Sequence, residues 1–399
     1  MRLGRLSRNV IVLGWVSLLT DLASEMLYPI IPLYLTGVLG ASAQLLGLIE
    51  GVAEGGGSVL RWLSGALSDR FSRRKPFVVL GYTISALSKP VMGLSGWPVF
   101  FAGRVCDRVG KAIRTAPRDA LIADSADPAN RGLAFGFHRA MDTCGAILGP
   151  LAVTGLLWAR PTFSLRWLFF LAVVPGIASA LVALLAARDI RHEPRPGARP
   201  GPIWQRYNSS LWMFILAAAV FTLGNSADSF LLLRSRELGL TPTRVVLAYA
   251  LFNVVFAAAA TPLGSLSDRI GRKPIILAGW LVFAAVYLGF SAARSSWLLW
   301  GLWAVYGLFQ ALTEGVTKAM ISDLATAEQR GGAIGLFYTA TGICQLGANL
   351  ITGALWNVPI GHWQLEAGLL TGTIGALVAI PILATVQLRA HPADAPVAG

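Results

Sequence analysis

The chain has 399 residues, 55% of them hydrophobic and only 13% charged, about half the charged share of an ordinary soluble domain. That composition excludes a globule solvated by water and fits a chain solvated by lipid. The formal net charge of +13 does not make a nucleic-acid binder, because the bases form no soluble face with aromatics between them and fall mostly in short segments on one side of the apolar blocks.

A hydrocarbon core of roughly 30 Å needs about 20 helical residues to cross it. Twelve such blocks follow in chain order, near 10–36, 43–67, 76–95, 98–124, 132–158, 164–187, 211–235, 242–266, 274–293, 296–324, 331–356 and 364–388. The bias of Lys and Arg toward the amino-terminal side of these blocks places both termini in the cytoplasm of a cell-membrane protein. The opening run MRLGRLSRNVIVLGWVSLLT has the basic start of a secretory signal. Asp21 and Glu25 follow it, however, with no small-residue cleavage site.

The first six spans are unusually charged. Span one carries Asp21 and Glu25 one turn apart, and span two Glu50 and Glu54 one turn apart. Span three has Lys89 beside Pro90, read as a packing feature. Span four contains RVCDRVGKAIRTAPRD, residues 104–119, with seven charges in sixteen positions. On a helix, Arg104, Asp107, Arg108, Lys111, Arg114, Arg118 and Asp119 share an arc of roughly 140°, and Val105, Val109, Ile113, Ala116 and Ala120 take the other side. Charges at membrane depth face a wet or paired interior and are functional candidates. Span five adds Arg139 and Asp142 and the small-residue run GAILGP, with Gly145, Gly149 and Pro150.

After span six comes RDIRHEPRPGARPGPIWQRYNSS, a Pro-, Gly- and Arg-rich linker. The second six spans are plainer. Tyr249 and Asn253 stand where Glu50 and Glu54 stand in the first set, and Asp228, Glu314 and Lys318 are the remaining buried charges. Tyr306, Gln310 and Glu314 in span ten, with Gln345 and Asn349 in span eleven, form polar faces able to hold a ligand by hydrogen bonds.

The two sets are copies. GALSDRFSRRKP from Gly65 answers GSLSDRIGRKP from Gly264 at an offset of 199, and DALIADSADPANRG at 119–132 answers KAMISDLATAEQRG at 318–331. Residues 1–187 therefore form one six-helix bundle, 188–209 a cytoplasmic linker and 210–399 a second bundle. Shifted by the same offset, 104–119 becomes WAVYGLFQALTEGVTK, plainly a membrane helix, so the charged stretch is one too.

With Gly65, Leu67, Asp69, Arg70, Arg73 and Arg74 matching G-x-L-x-D-R-x-G-R-[RK] between spans two and three, the chain resembles the major facilitator superfamily over essentially its whole length. Ser72 replaces the motif's second glycine, which the second copy keeps as Gly271. Asp21 eight residues before Pro29, and Gly145, Gly149 and Pro150 in span five, resemble the drug:proton antiporter branch. Arg104 fits that branch's fourth-span motif, and Arg108 stands at its glycine position.

The resemblance implies an all-α polytopic fold of two pseudo-symmetric six-helix bundles and a secondary transporter rather than an enzyme. It implies a conformational clasp of Gly65, Asp69, Arg70 and Arg73 with Asp124 as partner of Arg73, and of Asp268, Arg269, Gly271 and Arg272 in the second copy. The reading that follows is a proton-coupled exporter of a small organic solute working by alternating access, a monomer in the bilayer.

Asp21, Glu25, Glu50, Glu54 and Asp142 are its candidate proton carriers, Asp21 first. Arg104, Asp107, Arg108, Lys111, Arg114, Arg118, Asp119 and Arg139 form its charged cavity face, and Tyr249, Asn253, Tyr306, Gln310, Glu314, Gln345 and Asn349 its substrate lining. An organic-anion or phosphorylated-solute transporter gripping its substrate with Arg104, Arg108 and Lys111, and a membrane sensor that binds without transport, are the other readings. No cofactor or metal is implied. Cys106, Cys144 and Cys344 have no metal or redox spacing and read as small apolar filler.

Overall fold

The computed structural model describes residues 6–70, 73–94, 96–127, 130–189, 207–326, 329–362 and 364–387, with the side chains at 58, 59, 61–63, 65–70, 330 and 331 outside the description. It is all-α apart from one short ribbon. The first half contains α1 Arg8–Glu25, α2 Ile31–Gly37, α3 Ala43–Arg70, α4 Lys75–Met92, α5 Trp97–Ser125, α6 Arg131–Ala159, α7 Leu165–Leu171 and α8 Val173–Ala186. The second contains α9 Ser209–Gly224, α10 Asp228–Glu237, α11 Pro242–Ile270, α12 Arg272–Ala292, α13 Ser296–Leu324, α14 Arg330–Ala354 and α15 Ala367–Thr385. Strands β1 Pro359–Ile360 and β2 Leu365–Glu366 pair antiparallel before α15.

Helix starts follow local chemistry. The side chains of Ser7, Asn208, Thr241 and Ser295 accept the N–H groups of Val10, Leu211, Arg244 and Trp297, capping α1, α9, α11 and α13. Gly271 joins α11 to α12 at φ 94° and ψ 156°, a backbone region open in practice only to glycine. That is the physical reason for the motif glycine in the second copy; Ser72, its counterpart, lies outside the described residues.

Among the described residues, seven segments are long and apolar enough to cross a membrane: Arg131–Ala159, Leu165–Ala186, Ser209–Glu237, Pro242–Ile270, Arg272–Ala292, Gly332–Ala354 and Ala367–Thr385. The other helices, α1 to α5 and α13, line up with the remaining expected spans and carry many of the buried charges and ring hydroxyls described below. Exposed apolar side chains such as Trp158, Val174, Leu185 and Trp297 would be a liability in water and are ordinary lipid contacts in a bilayer.

Spans one and seven, equivalent by the repeat, are both broken. Span one turns between α1 and α2 around Pro29, and span seven between α9 and α10 at Asn225–Ala227. The second break is held by side chains from elsewhere. Gln345 Nε2 donates to the Asn225 carbonyl at 2.7 Å, Asn349 Oδ1 accepts the Ala227 N–H at 2.7 Å, and Tyr287 donates to the Ser226 carbonyl at 3.1 Å. Irregular backbone survives at membrane depth because its polar groups are satisfied by protein.

In the first half α5 packs on α3 and α4, and α1 on α6 and α8; in the second α12 packs on α13 and α15, α11 on α13, and α9 on α14 and α15. The halves join where α3 meets α14, α6 meets α11 and α2 meets α10. Glycines make the α3–α14 contact close. A Cβ on Gly47 would strike the Asn349 carbonyl, and Gly51 and Gly55 face Leu346 and Gly342 in the same way.

Two apolar clusters show where the halves separate. One unites Leu27, Ile30, Leu46, Phe100 and Phe169, from the end of the first half away from the termini, with Phe214, Phe230, Tyr249 and Trp303 of a second-half core that runs on to Leu324 and Val386. The other, with Val10, Leu13, Val78, Leu121, Ile122 and Ala134, lies at the terminus-bearing end and draws its described members from the first half alone. The apolar packing shared by the halves therefore draws on the first half only at its end away from the termini.

Candidate functional site

Between the halves lie two cavities, about 370 and 410 Å³. Tyr28, Glu54, Asp228, Gln310 and Glu314 line both, so the two lobes meet at these residues. The first lobe is walled by the charged face of α5, the second by rings of the second half.

The charged face is largely paired. Arg104 grips Glu50 with two bonds, Nη2 to Oε2 at 2.7 Å and Nε to Oε1 at 3.1 Å, and Glu50 is fully buried. Arg108 meets Glu54 at 2.6 Å. Lys89 donates to Asp107 at 3.2 Å and to the Ser85 carbonyl at 3.1 Å, while Ser85 donates to Asp107 at 2.6 Å. Lys89, read from the sequence as a packing feature, therefore belongs to the cavity wall.

Charge pairs this deep are costly unless each member is fully satisfied, and they do little for stability compared with apolar filling. The anion-gripping alternative relied on Arg104, Arg108 and Lys111. Two of these already hold carboxylates.

The rest of the predicted face divides. Lys111 and Arg114 line the cavity with no carboxylate partner among the described residues. Arg114 is 3% exposed and lies over the Tyr82 ring at 4.3 Å. Arg118 and Asp119 depart from the expected cavity face. They pair with each other at 2.8 Å and are absent from the described wall, because the arc of α5 outlasts the cavity toward the terminus-bearing end. Arg139 of α6 crosses to Glu314 of α13 at 2.6 Å, the ion pair that ties the two halves at mid-depth.

The candidate proton carriers are placed unequally. Asp142 accepts from Ser17 and lies 3.5 Å from His138 Nδ1. Glu25 accepts from the Tyr249 hydroxyl at 2.9 Å. Asp21 lines the cavity with no hydrogen bond or ion pair to it among the described residues. The span-five glycines explain its position: a Cβ on Gly145 would meet the Leu18 carbonyl and Asp21 Cβ, and one on Gly149 the Leu22 carbonyl and Met26 N. Small residues let α6 lie directly on the backbone of α1. Pro150 lies inside α6, which runs on to Ala159.

Of the substrate-lining candidates, Tyr249, Asn253, Gln310 and Glu314 line the first lobe, and Tyr306, Gln310, Glu314 and Gln345 the second. Asn349 does not belong with them. It is fully buried and spends its amide oxygen on the broken backbone of span seven. Sequence reasoning missed Tyr28 and gave Asp228 no role, although Asp228 accepts from Tyr306 at 2.7 Å in the shared wall. The signal was present in GNSADS, a polar run in the middle of an apolar span.

The clasp also differs in detail. Arg74, not Arg73, meets Asp124, at 3.2 Å, and Arg73 is exposed, because Arg74 caps the start of α4, which packs on α5. In the second copy Arg272 pairs with Asp268 and reaches Asp323 at 3.4 Å, and Arg269 is exposed. The carboxylate seen at the start of α4 is Asp189, accepting the N–H groups of Arg74 and Lys75 at 3.1 and 3.2 Å. The side chains of Gly65, Asp69 and Arg70 lie outside the described residues.

The profile of the Major Facilitator Superfamily matches residues 13–235 and 213–398, covering both halves. The chain belongs to the major facilitator superfamily. An uncharacterized MFS-type transporter of Methanocaldococcus jannaschii is 39% identical over 368 residues, 88% of this chain and 89% of that one. The class C tetracycline resistance protein of Escherichia coli is 28% identical over 341 residues, 80% of this chain and 81% of its own. Among solved structures the nucleoside transporter NupG superposes with a TM-score of 0.74 at 13% identity, over 94% of this chain and 98% of that one, a likeness of fold. This major facilitator is a multi-pass membrane transporter of small molecules, not an enzyme.

Proposed function

We propose that this chain is a proton-coupled secondary transporter that exports a small organic solute, with Asp21 as the acid that exchanges its proton between the two sides. The carrying observation is the isolation of Asp21 in the cavity wall. Glu50 and Glu54 are committed to arginines, Asp142 to Ser17 and His138, and Glu25 to Tyr249. A proton can therefore come and go at Asp21 without dismantling a buried pair, while Lys111 and Arg114 of the same wall are available to answer its charge when it is ionised. Similarity to a tetracycline resistance protein supports export.

Alternating access also needs a joint that opens. The clasp reading is supported by Arg74–Asp124 and Arg272–Asp323, in which the two acids are equivalent at the offset of 199 and each arginine opens the following helix. The bias of bases toward one side supports residues 188–209 and both termini on the cytoplasmic face, with the 1–187 and 210–399 bundles as the moving bodies. Cysteines placed in 188–209 and at Pro98, on a background lacking the native three, should label from opposite sides; labelling from one side refutes this orientation.

The coupling experiment uses purified protein in liposomes. Asp21→Asn should keep substrate binding and downhill exchange while losing accumulation driven by an imposed pH gradient. If both Asp21→Asn and Glu25→Gln still drive uphill transport, the assignment of coupling to span one is wrong.

A further inference from the structure

Each clasp acid stands beside a residue held by an asparagine. Asn9, at the start of α1, donates from Nδ2 to Ser125 Oγ at 2.7 Å, and Ser125 follows the clasp acid Asp124. Asn208, 199 residues on, donates from Nδ2 to the Leu324 carbonyl at 2.9 Å, and Leu324 follows the clasp acid Asp323. Donor and acceptor residues obey the same offset. Two asparagines at equivalent places therefore fix the last turns of spans four and ten, each next to the acid that meets an arginine.

In the first half these bonds close on themselves. Asn9 also exchanges two bonds with the backbone of Arg188, donating to its carbonyl at 3.1 Å and accepting its N–H at 3.0 Å. The next residue, Asp189, accepts the N–H groups of Arg74 and Lys75 on one oxygen, at 3.1 and 3.2 Å. Arg74 then meets Asp124 at 3.2 Å, which brings the path back to Ser125 and Asn9. The start of α1, the end of α5, the start of α4 and the first residues of the linker form one circuit. The side chain of Arg74 makes no capping bond to α4, so the linker supplies the acceptor that the first N–H groups of that helix need. In the second half Lys273 donates to the Ala384 and Val386 carbonyls at the end of α15, and Arg272 meets Asp323. Among the described residues, no bond returns from that end to Asn208, and the circuit stays open.

We propose that Asn9 and Asp189 are positioning residues of the clasp, which make the attachment of the linker and the Arg74–Asp124 pair form and break together. The proposal rests on the clasp reading and names its regulation: the segment between the halves is a handle on the joint. Lifting residues 188–189 removes the acceptor from the start of α4 and the tie from Asn9 at once. Arg74 then loses the backbone anchor that aims it at Asp124. Each link is a single hydrogen bond or a partly exposed ion pair, individually modest, so the circuit can open without unfolding the half.

The test is backbone hydrogen exchange on the purified full chain in detergent, read at groups that each variant does not touch. Asn9→Ala should speed exchange of the Arg74 and Lys75 amides by about fivefold, the change expected for a lost cap, although Asn9 bonds neither. Asp189→Ala should do the same for the last turn of α5, residues 121–125. The equivalent ends in the second half, 272–276 and 320–324, should exchange as in the parent, which separates a local circuit from general loosening. Asp189→Asn keeps an accepting oxygen and should stay within about twofold of the parent. Asp189 is exposed, so its variants decide if Asn9→Ala does not yield folded protein.

The proposal is overturned if each variant speeds exchange only at the groups it bonds, or if Asp189→Asn loses as much protection as Asp189→Ala. The clasp reading is judged separately, by maleimide labelling of Thr143→Cys, a cavity-wall position, on a background lacking the native cysteines. If Arg74→Gln leaves that labelling unchanged while exchange still spreads around the circuit, the clasp reading is removed and the tie between linker and ion pair stays in place.

Discussion

The two halves are copies by sequence and share one fold, yet they solve the problem of a polar interior differently. The first half buries formal charges and pairs them, as in Arg104–Glu50, Arg108–Glu54 and Lys89–Asp107. The second half uses neutral donors and rings at the same depths: Tyr249 and Asn253 stand at the repeat positions of Glu50 and Glu54, and Gln345 and Asn349 hold a broken helix by hydrogen bonds. Charge pairing makes positions interdependent, because one missing partner leaves a bare ion in low dielectric. Neutral hydrogen bonding makes them individually modest. Under the proposed function, coupling falls to the first kind of wall and ligand shape to the second.

That contrast can be broken most decisively at Arg104. Arg104→Met leaves the fully buried Glu50 uncompensated and should cost about 3–5 kcal/mol, read as a large fall in the midpoint of thermal unfolding in detergent. Glu50→Leu in the same chain should recover most of the loss. A single variant as stable as the parent would show that the pair is not the unit of the first half.

In the second half Asn349→Ala exposes the Ala227 N–H to an apolar environment, at a cost of about 1–3 kcal/mol. Faster hydrogen exchange should appear around Asn225–Ser229, where the helix is broken, and exchange unchanged there would detach Asn349 from the break. Smaller still is the effect expected on Arg139→Gln. Its ion pair with Glu314 is half exposed, so stability should change by no more than about 1 kcal/mol, but the halves lose a tie at mid-depth. Cross-linking between cysteines on α6 and α11 should report a shifted balance of conformations, and an unchanged yield would remove this tie from the cycle.

The smallest effects separate the two clasp copies. Asp124→Asn should be felt more than Asp323→Asn, since Asp124 is 24% exposed and Asp323 53%, and the latter should fall within about 1 kcal/mol of the parent. Equal effects would mean that burial does not distinguish the copies.

Much of this was legible in the chain itself. Long apolar blocks follow from the thickness that lipid imposes on any crossing helix, and with the motif after span two they made fold class and family legible. The charged arc of α5 was legible from helix geometry: 100° per residue puts Arg104, Asp107, Arg108 and Lys111 on one face whatever their partners are.

What the sequence could not decide was partnership, because pairing depends on how helices rotate and approach. Only the packing of α3 on α5 gave Glu50 to Arg104 and Glu54 to Arg108, and so left Asp21 alone. Only the packing of α4 on α5 set Arg74 rather than Arg73 on Asp124. Only the break in span seven turned Asn349 from a wall residue into a prop and brought Asp228 to the cavity, since a helix that loses its own hydrogen bonds must find others, and those lie on chain segments more than a hundred residues away.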